Sequence, residues 1–279
     1  MTKRKTPPVF ALLAPLLCIA LHCARTGIPR PLQSTACPNR DAFIPFTGIV
    51  AGSAQHRRNQ PFVHVQLSPR LEPVSPVVAI AGERITTSGE QIARITNLRP
   101  GPPYTIVLYA DLDEYAACTS GISAQALPDT TGHYDSRVRE FHVPATAREP
   151  DWRHEWVHAV LADHTPAAPY WLHEGLAILL EETEQLDRAP RLPARILALR
   201  DRVKHHVADG GLLALLERRS PGRWAAPTAA YFCAYLSAQG RLTAAIANGG
   251  VIDADRTAAR WQADFLGWLT DPAAVSSAP

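Results

Sequence analysis

An excess of charge of either sign is missing from this sequence. Its 28 lysines and arginines against 26 aspartates and glutamates leave a formal net charge of +2. That balance carries no electrostatic footprint for a phosphate backbone, so nucleic acid is excluded as the main partner. Cysteine is scarce: beyond the first 24 residues only Cys37, Cys118 and Cys233 remain, with no C-x-x-C spacing, which argues against a thiolate zinc site. In an oxidising compartment Cys37 and Cys118 can pair and leave Cys233 as a buried thiol; three unpaired thiols is the equal alternative. No internal repeat is present. No apolar run reaches the roughly 20 residues that a membrane-spanning helix needs.

The longest apolar run, from Val9 to Leu21, is broken by Pro15 and preceded by Lys3, Arg4 and Lys5. This is the pattern of an export signal, with Cys18-Ile19-Ala20 the nearest match to a cleavage site. Residues 1–24 are therefore expected to be a leader, which implies a periplasmic or extracellular protein. Cys23 as a lipid-attachment cysteine would add membrane anchoring through the N-terminus, although the bulky Leu21 and His22 before it disfavour that. The full sequence of 279 residues is 46% hydrophobic and 19% charged, as for one globular domain of moderate size.

Residues 25–60, rich in Pro, Gly, Ser and Arg, read as an irregular N-terminal arm. Phe62 to Leu67 alternates like a strand. Val77 to Leu98 reads as a helix with Val78, Ile80, Ile85, Ile92 and Ile95 on one face. Tyr104 to Tyr109 is a β-rich buried strand, and Asp111 is placed to cap a short helix through Cys118. A further strand is expected from about Arg137 to Val143, after Gly132-His133-Tyr134. A long helix starts near Pro150 and Asp151, and a loop over Asp163 to Pro169 leads to a helix from Tyr170 to Glu182. Helices are then expected over Leu192–Asp209, Leu212–Arg218, Thr228–Gln239, Leu242–Asn248 and Thr257–Leu269, separated by Gly and Pro pairs. The fold class that follows is α+β, with a small N-terminal sheet, a helical C-terminal part and a loose tail over 271–279.

The chemistry sits in Arg153-His154-Glu155-Trp156-Val157-His158, which contains H-E-x-x-H. On a helix, positions i and i+4 share a face, so both imidazoles can reach one ion. Glu155 is rotated about 100° from His154 and can flank that ion as a base. Trp156, Val157, Val160 and Leu161 make the helix apolar, and two histidines and a glutamate on a buried helix are costly without a partner.

Downstream stands Trp171-Leu172-His173-Glu174-Gly175-Leu176-Ala177. Together the two segments resemble the gluzincin metallopeptidases of the peptidase MA-like group, which includes thermolysin and aminopeptidase N, with their W-x-x-E-G-x-A setting for a third ligand. The resemblance implies a zincin-like domain over residues 61–270 and a zinc ion held by His154, His158 and Glu174. It also implies Glu155 as base toward a zinc-bound water, and a peptide or protein substrate paired along the strand from Arg137 to Val143. Thermolysin-like enzymes place an acid one turn after the third ligand, where this chain has Ile178, so Asp151 or Glu181 is expected to support a histidine instead. For the transition-state donor Tyr231 is the candidate, against its plainer reading as an aromatic in a helix bundle. His173 is left outside the coordination shell, His164 is a loop residue, and His205 and His206 read as a solvated pair.

Two other readings compete. One is a zincin-fold protein of the cell envelope that keeps its metal but binds without cleaving. The other is a β-sandwich appendage, since Leu98-Arg99-Pro100-Gly101-Pro102-Pro103-Tyr104 resembles a fibronectin type III signature.

Overall fold

The computed structural model describes residues 37–46, 63–99, 101, 104–119, 131–182, 191–217, 222–253 and 256–271. The leader, Cys23, most of the 25–60 arm and the tail after Asp271 lie outside them.

The chain is mixed α+β, mostly helical, with one five-stranded sheet. The strands are β1 (Ile44–Phe46), β2 (Val63–Leu67), β3 (Tyr104–Tyr109), β4 (His133–Asp135) and β5 (Glu140–Pro144), in the spatial order β1-β2-β3-β5-β4. β2, β3 and β5 run parallel, and the outer strands β1 and β4 are antiparallel to their neighbours. Parallel pairing requires crossovers. Helix α1 (Pro76–Thr96) makes the first, and α2 (Leu112–Thr119) lies within the second. A helix ahead of Tyr104 and a parallel sheet after it leave no place for a β-sandwich there.

Alternation along β3 sets the two layers. Tyr104, Ile106 and Leu108 point into the main core with α1 and the helix α3 (Glu149–His164), whereas Val107 and Tyr109 join Phe43 and Tyr115 on the opposite face. α1 is capped by the Ser75 hydroxyl, which accepts from the Val78 N–H, and ends on left-handed Asn97. Val78, Ile85 and Ile92 of its expected face are buried, but Ile80 is 46% exposed. Asp111 caps α2 by accepting from the Glu114 N–H at 2.8 Å.

The arm is not irregular where it is described. A 3-10 turn (Arg40–Ala42) leads into β1, which pairs with β2, and Cys37 is disulfide-bonded to Cys118 on α2. The sheet therefore begins before residue 61. The expected strand from Arg137 is also corrected: residues 133–144 form a hairpin, and β5 starts only at Glu140. Its turn contains Arg139 with φ 57°, a conformation no glycine or asparagine announces. Asp163 compensates by accepting two bonds from Arg139, at 2.5 and 3.0 Å, and others from Tyr104 and the Gly101 N–H. Asp163 and His164 belong to the last turn of α3 (Glu149–His164), not to the loop expected there.

α4 (Tyr170–Leu180) packs against α3 on one side and α8 (Ala225–Ala238) on the other. The expected helix over 192–209 is divided into α5 (Ala194–Leu197) and α6 (Arg200–Ala208), followed by α7 (Gly211–Leu216), α9 (Leu242–Ala247) and α10 (Ala258–Thr270). Among the described residues no helix is long and apolar enough to cross a membrane.

Gly175 is where α4 meets α8. A Cβ there would stand 2.4 Å from the Ala229 carbonyl oxygen and 2.7 Å from Cys233 Sγ. The backbone oxygen cannot yield without moving a helix, so Gly175→Ala is expected to lower stability by about 1–3 kcal/mol, read from the denaturant midpoint. Unchanged stability would mean that the two helices are not in this contact.

Candidate metal centre

α3 begins with Pro150 in its first turn and a cap in which the Asp151 carboxylate accepts from the Arg148 N–H at 2.7 Å. Asp151 is thereby committed to the helix start. Trp152, Trp156, Val157, Val160 and Leu161 are buried, and the Trp156 indole N–H donates to the Ile85 carbonyl at 2.9 Å. These contacts fix the rotation of α3, which turns His154 and His158 toward α4.

Glu174 meets them from α4. One ligand atom from each of His154, His158 and Glu174 lies within 4.8 Å of the others. His154 Nε2 is 3.8 Å from Glu174 Oε2, and His158 Nε2 is 3.6 Å from Glu174 Oε1. Bonds of 2.0–2.1 Å in a tetrahedral zinc shell put neighbouring ligands about 3.4 Å apart, so small side-chain adjustments close this set around one ion. Among the described residues no other group of three such side chains converges.

The remaining nitrogen of His154 is held from behind. Its Nδ1 lies 2.9 Å from Glu181 Oε1, and Arg195 on α5 donates to the other oxygen of Glu181. Of the two acids expected to support a histidine, Glu181 takes the role. It stands seven residues after Glu174, at the C-cap of α4 and still in helical conformation, so it lies two turns on along the same helix face. Such a carboxylate fixes the ring and its tautomer, leaving Nε2 for a metal.

The two imidazoles are electrostatically unlike. Burial depresses His154, but the hydrogen bond to Glu181 and the charges of Glu155 and Glu174 outweigh it and raise the group to about 9. Burial, with the charges of His154 and His173, holds His158 well below the ordinary imidazole value, so it stays neutral. Burial also pushes Glu174 upward, against the pull of His154. For Glu155, burial raises the carboxyl, His154 opposes and Glu174 adds to the rise, to about 7. The Tyr134 main chain on β4 partly stabilises that carboxylate, while Glu155 Oε2 is buried with no hydrogen-bond partner. An orphaned acceptor beside three converging ligands suits a water molecule or a cation, and a divalent ion there would favour neutral imidazoles and ionised carboxylates.

Tyr231 is not at this centre. It is fully buried in α8, its hydroxyl donates to the Leu197 carbonyl at 3.1 Å, and the charges that act on it are those of Arg200 and Asp201. Its plainer reading as a packed aromatic is the one observed. The strand expected to form the cleft edge is also internal: β5 lies between β3 and β4, and the outer strand beside α3 is β4.

Two neighbours of the triad were not assigned from sequence. Tyr170, one turn before Glu174, is 37% exposed, and burial and the Glu174 charge both keep its hydroxyl protonated. No described residue hydrogen-bonds that hydroxyl. His173 stacks on His158 at 5.7 Å between centroids. The i, i+4 spacing from Tyr170 to Glu174 was the available signal. His164, the last residue of α3, has Nε2 2.6 Å from the Arg99 carbonyl oxygen, and His206 is bonded to Thr228 instead of being solvated.

No protein-family profile matches the chain, and a search of curated proteins finds no match either.

Glu181→Ala is expected to weaken zinc affinity about 10–100-fold by freeing His154, measured by competition with a chromophoric chelator. Affinity equal to the wild type would remove Glu181 from the centre.

Proposed function

We propose that the chain is a zinc-dependent peptide-bond hydrolase of gluzincin type, with a zincin-like fold around His154, His158 and Glu174. The observation that carries this reading is the convergence of those three ligands beside Glu155, a buried carboxylate with an unpartnered oxygen. Zinc at such a centre supplies a Lewis acid and lowers the pKa of a water to about 7.

The residues of the chain would do the rest. His154 and His158 bind the ion as neutral imidazoles, with Glu181 orienting the first. Glu155 takes the proton of the attacking water and passes it to the departing amine nitrogen. Tyr170 takes the donor role toward the carbonyl oxygen as it gains negative charge. β4, the outer strand among the described residues, would offer its outer edge to an extended peptide, whose main chain would extend the sheet. An exported location, with or without N-terminal attachment to a membrane, belongs to the same reading.

Glu155→Gln is expected to retain zinc and lose about 100-fold to 10,000-fold in turnover on a casein or peptide substrate. Normal cleavage by that variant would reject Glu155 as base, and no chelator-sensitive cleavage by the wild type would favour a metal-binding envelope protein without catalysis. Tyr170→Phe should lower kcat by about 100-fold to 1,000-fold, the usual effect of removing one oxyanion donor, with zinc content unchanged. A kcat equal to the wild type would exclude it.

A further inference from the structure

The sheet face turned away from α3 carries a second group of titratable side chains, which the proposed chemistry does not use. His133 on β4 and His142 on β5 are register partners. Their rings lie parallel, with 4.7 Å between centroids and 4° between planes. Each Nδ1 meets a tyrosine hydroxyl: Tyr115 of α2 at 3.0 Å for His133, and Tyr109 of β3 at 2.8 Å for His142.

The nearby charges are already committed. His142 Nε2 is 3.2 Å from Glu140 Oε2, but Arg40, from the disulfide-tied N-terminal segment, donates to both oxygens of that carboxylate at 2.7 Å. Asp135, on the same face of β4, is bound by Arg137. His133 Nε2 is buried with no hydrogen-bond partner. Burial lowers the His133 pKa against a pull from Asp135. Burial, then the charges of His133 and Arg40, lower His142 to about 3.

We propose that the stacked His133–His142 pair makes the β4–β5 hairpin an acid-sensitive latch, closed while both rings are neutral and released when they take up protons. A proton on either ring is a buried cation against its neighbour, and the nearest carboxylates, Glu140 and Asp135, already share their charge with Arg40 and Arg137. The outward swing of β4 relieves this most cheaply, because β4 is a three-residue outer strand whose only strand partner among the described residues is β5. α3, the inner strands and the disulfide need not move.

Both histidines have folded-state values below the ordinary imidazole value of about 6.5. The closed state therefore has its full stability above that pH and loses it as pH falls toward the folded values. Each pH unit in that window raises the open population by up to about tenfold per histidine, and up to about a hundredfold for the pair. The same strand presents the Tyr134 main chain to Glu155, so an open latch takes that hydrogen bond away from the proposed base. That consequence rests on the hydrolase reading; the latch does not.

Amide hydrogen exchange on the full chain tests it without any activity measurement. Rates at about pH 7 and about pH 5, each divided by the intrinsic rate at that pH, give the protection of β4–β5 and of β2–β3. The latch requires protection of the hairpin to fall about 10-fold to 100-fold per pH unit while β2–β3 holds. Hairpin protection that follows β2–β3 at both pH values would overturn it. Replacing both rings, His133→Phe with His142→Phe, should abolish the difference, and a double variant with the wild-type pH dependence would also overturn it. If that variant does not fold, the wild-type comparison of the two strand pairs decides alone.

Discussion

Two imidazoles from one helix and a carboxylate from the next must stay within a few ångströms of a common point. That proximity depends on packing behind the ligands, not on the ligands themselves, since two neighbouring acids and a raised histidine have no reason to gather in an apolar interior. On the α3 side the rotation is fixed by buried Trp152 and Trp156, the latter bonded to the α1 backbone. On the α4 side the lack of a side chain at Gly175 lets the helix lie against the α8 backbone, with Glu174 turned the other way.

Electrostatics then divides the labour within the centre. His154 is gripped by Glu181, itself gripped by Arg195, so its orientation is set from two helices away. His158 has no such partner and is kept neutral by burial. Glu155 sits between the ligands and the outer strand of the sheet, and takes stabilisation from the Tyr134 main chain. The helical pair and the outer strand are thus joined through one carboxylate, so the position of β4 bears directly on Glu155.

Much of this was legible where the signal is local. H-E-x-x-H sets two imidazoles and a flanking acid by helix geometry alone, and Trp171, Glu174 and Gly175 mark the facing helix. Strand β3, the cap at Asp111 and the α+β class follow from local pattern as well. Contacts between distant segments were not legible. Tyr231 has the right chemistry, but its direction depends on how α8 turns against α5 and α6, which no periodicity reveals. The 133–144 hairpin was misread because its turn uses Arg139 in a left-handed conformation, supported by Asp163 from 24 residues away. The Cys37–Cys118 disulfide, across 81 residues, was one of the two alternatives left open by the cysteine count, but the 3-10 turn and strand that it accompanies in the Pro-rich arm have no local pattern to announce them.

The convergence of His154, His158 and Glu174 on one ion is the claim from which the functional reading descends, and metal stoichiometry tests it directly. Native mass spectrometry of the purified wild type should find one zinc per chain, and none in the His158→Ala and Glu174→Ala variants when both remain folded. Zinc retained equally by wild type and both variants, or a folded wild type that takes up none, would contradict the account.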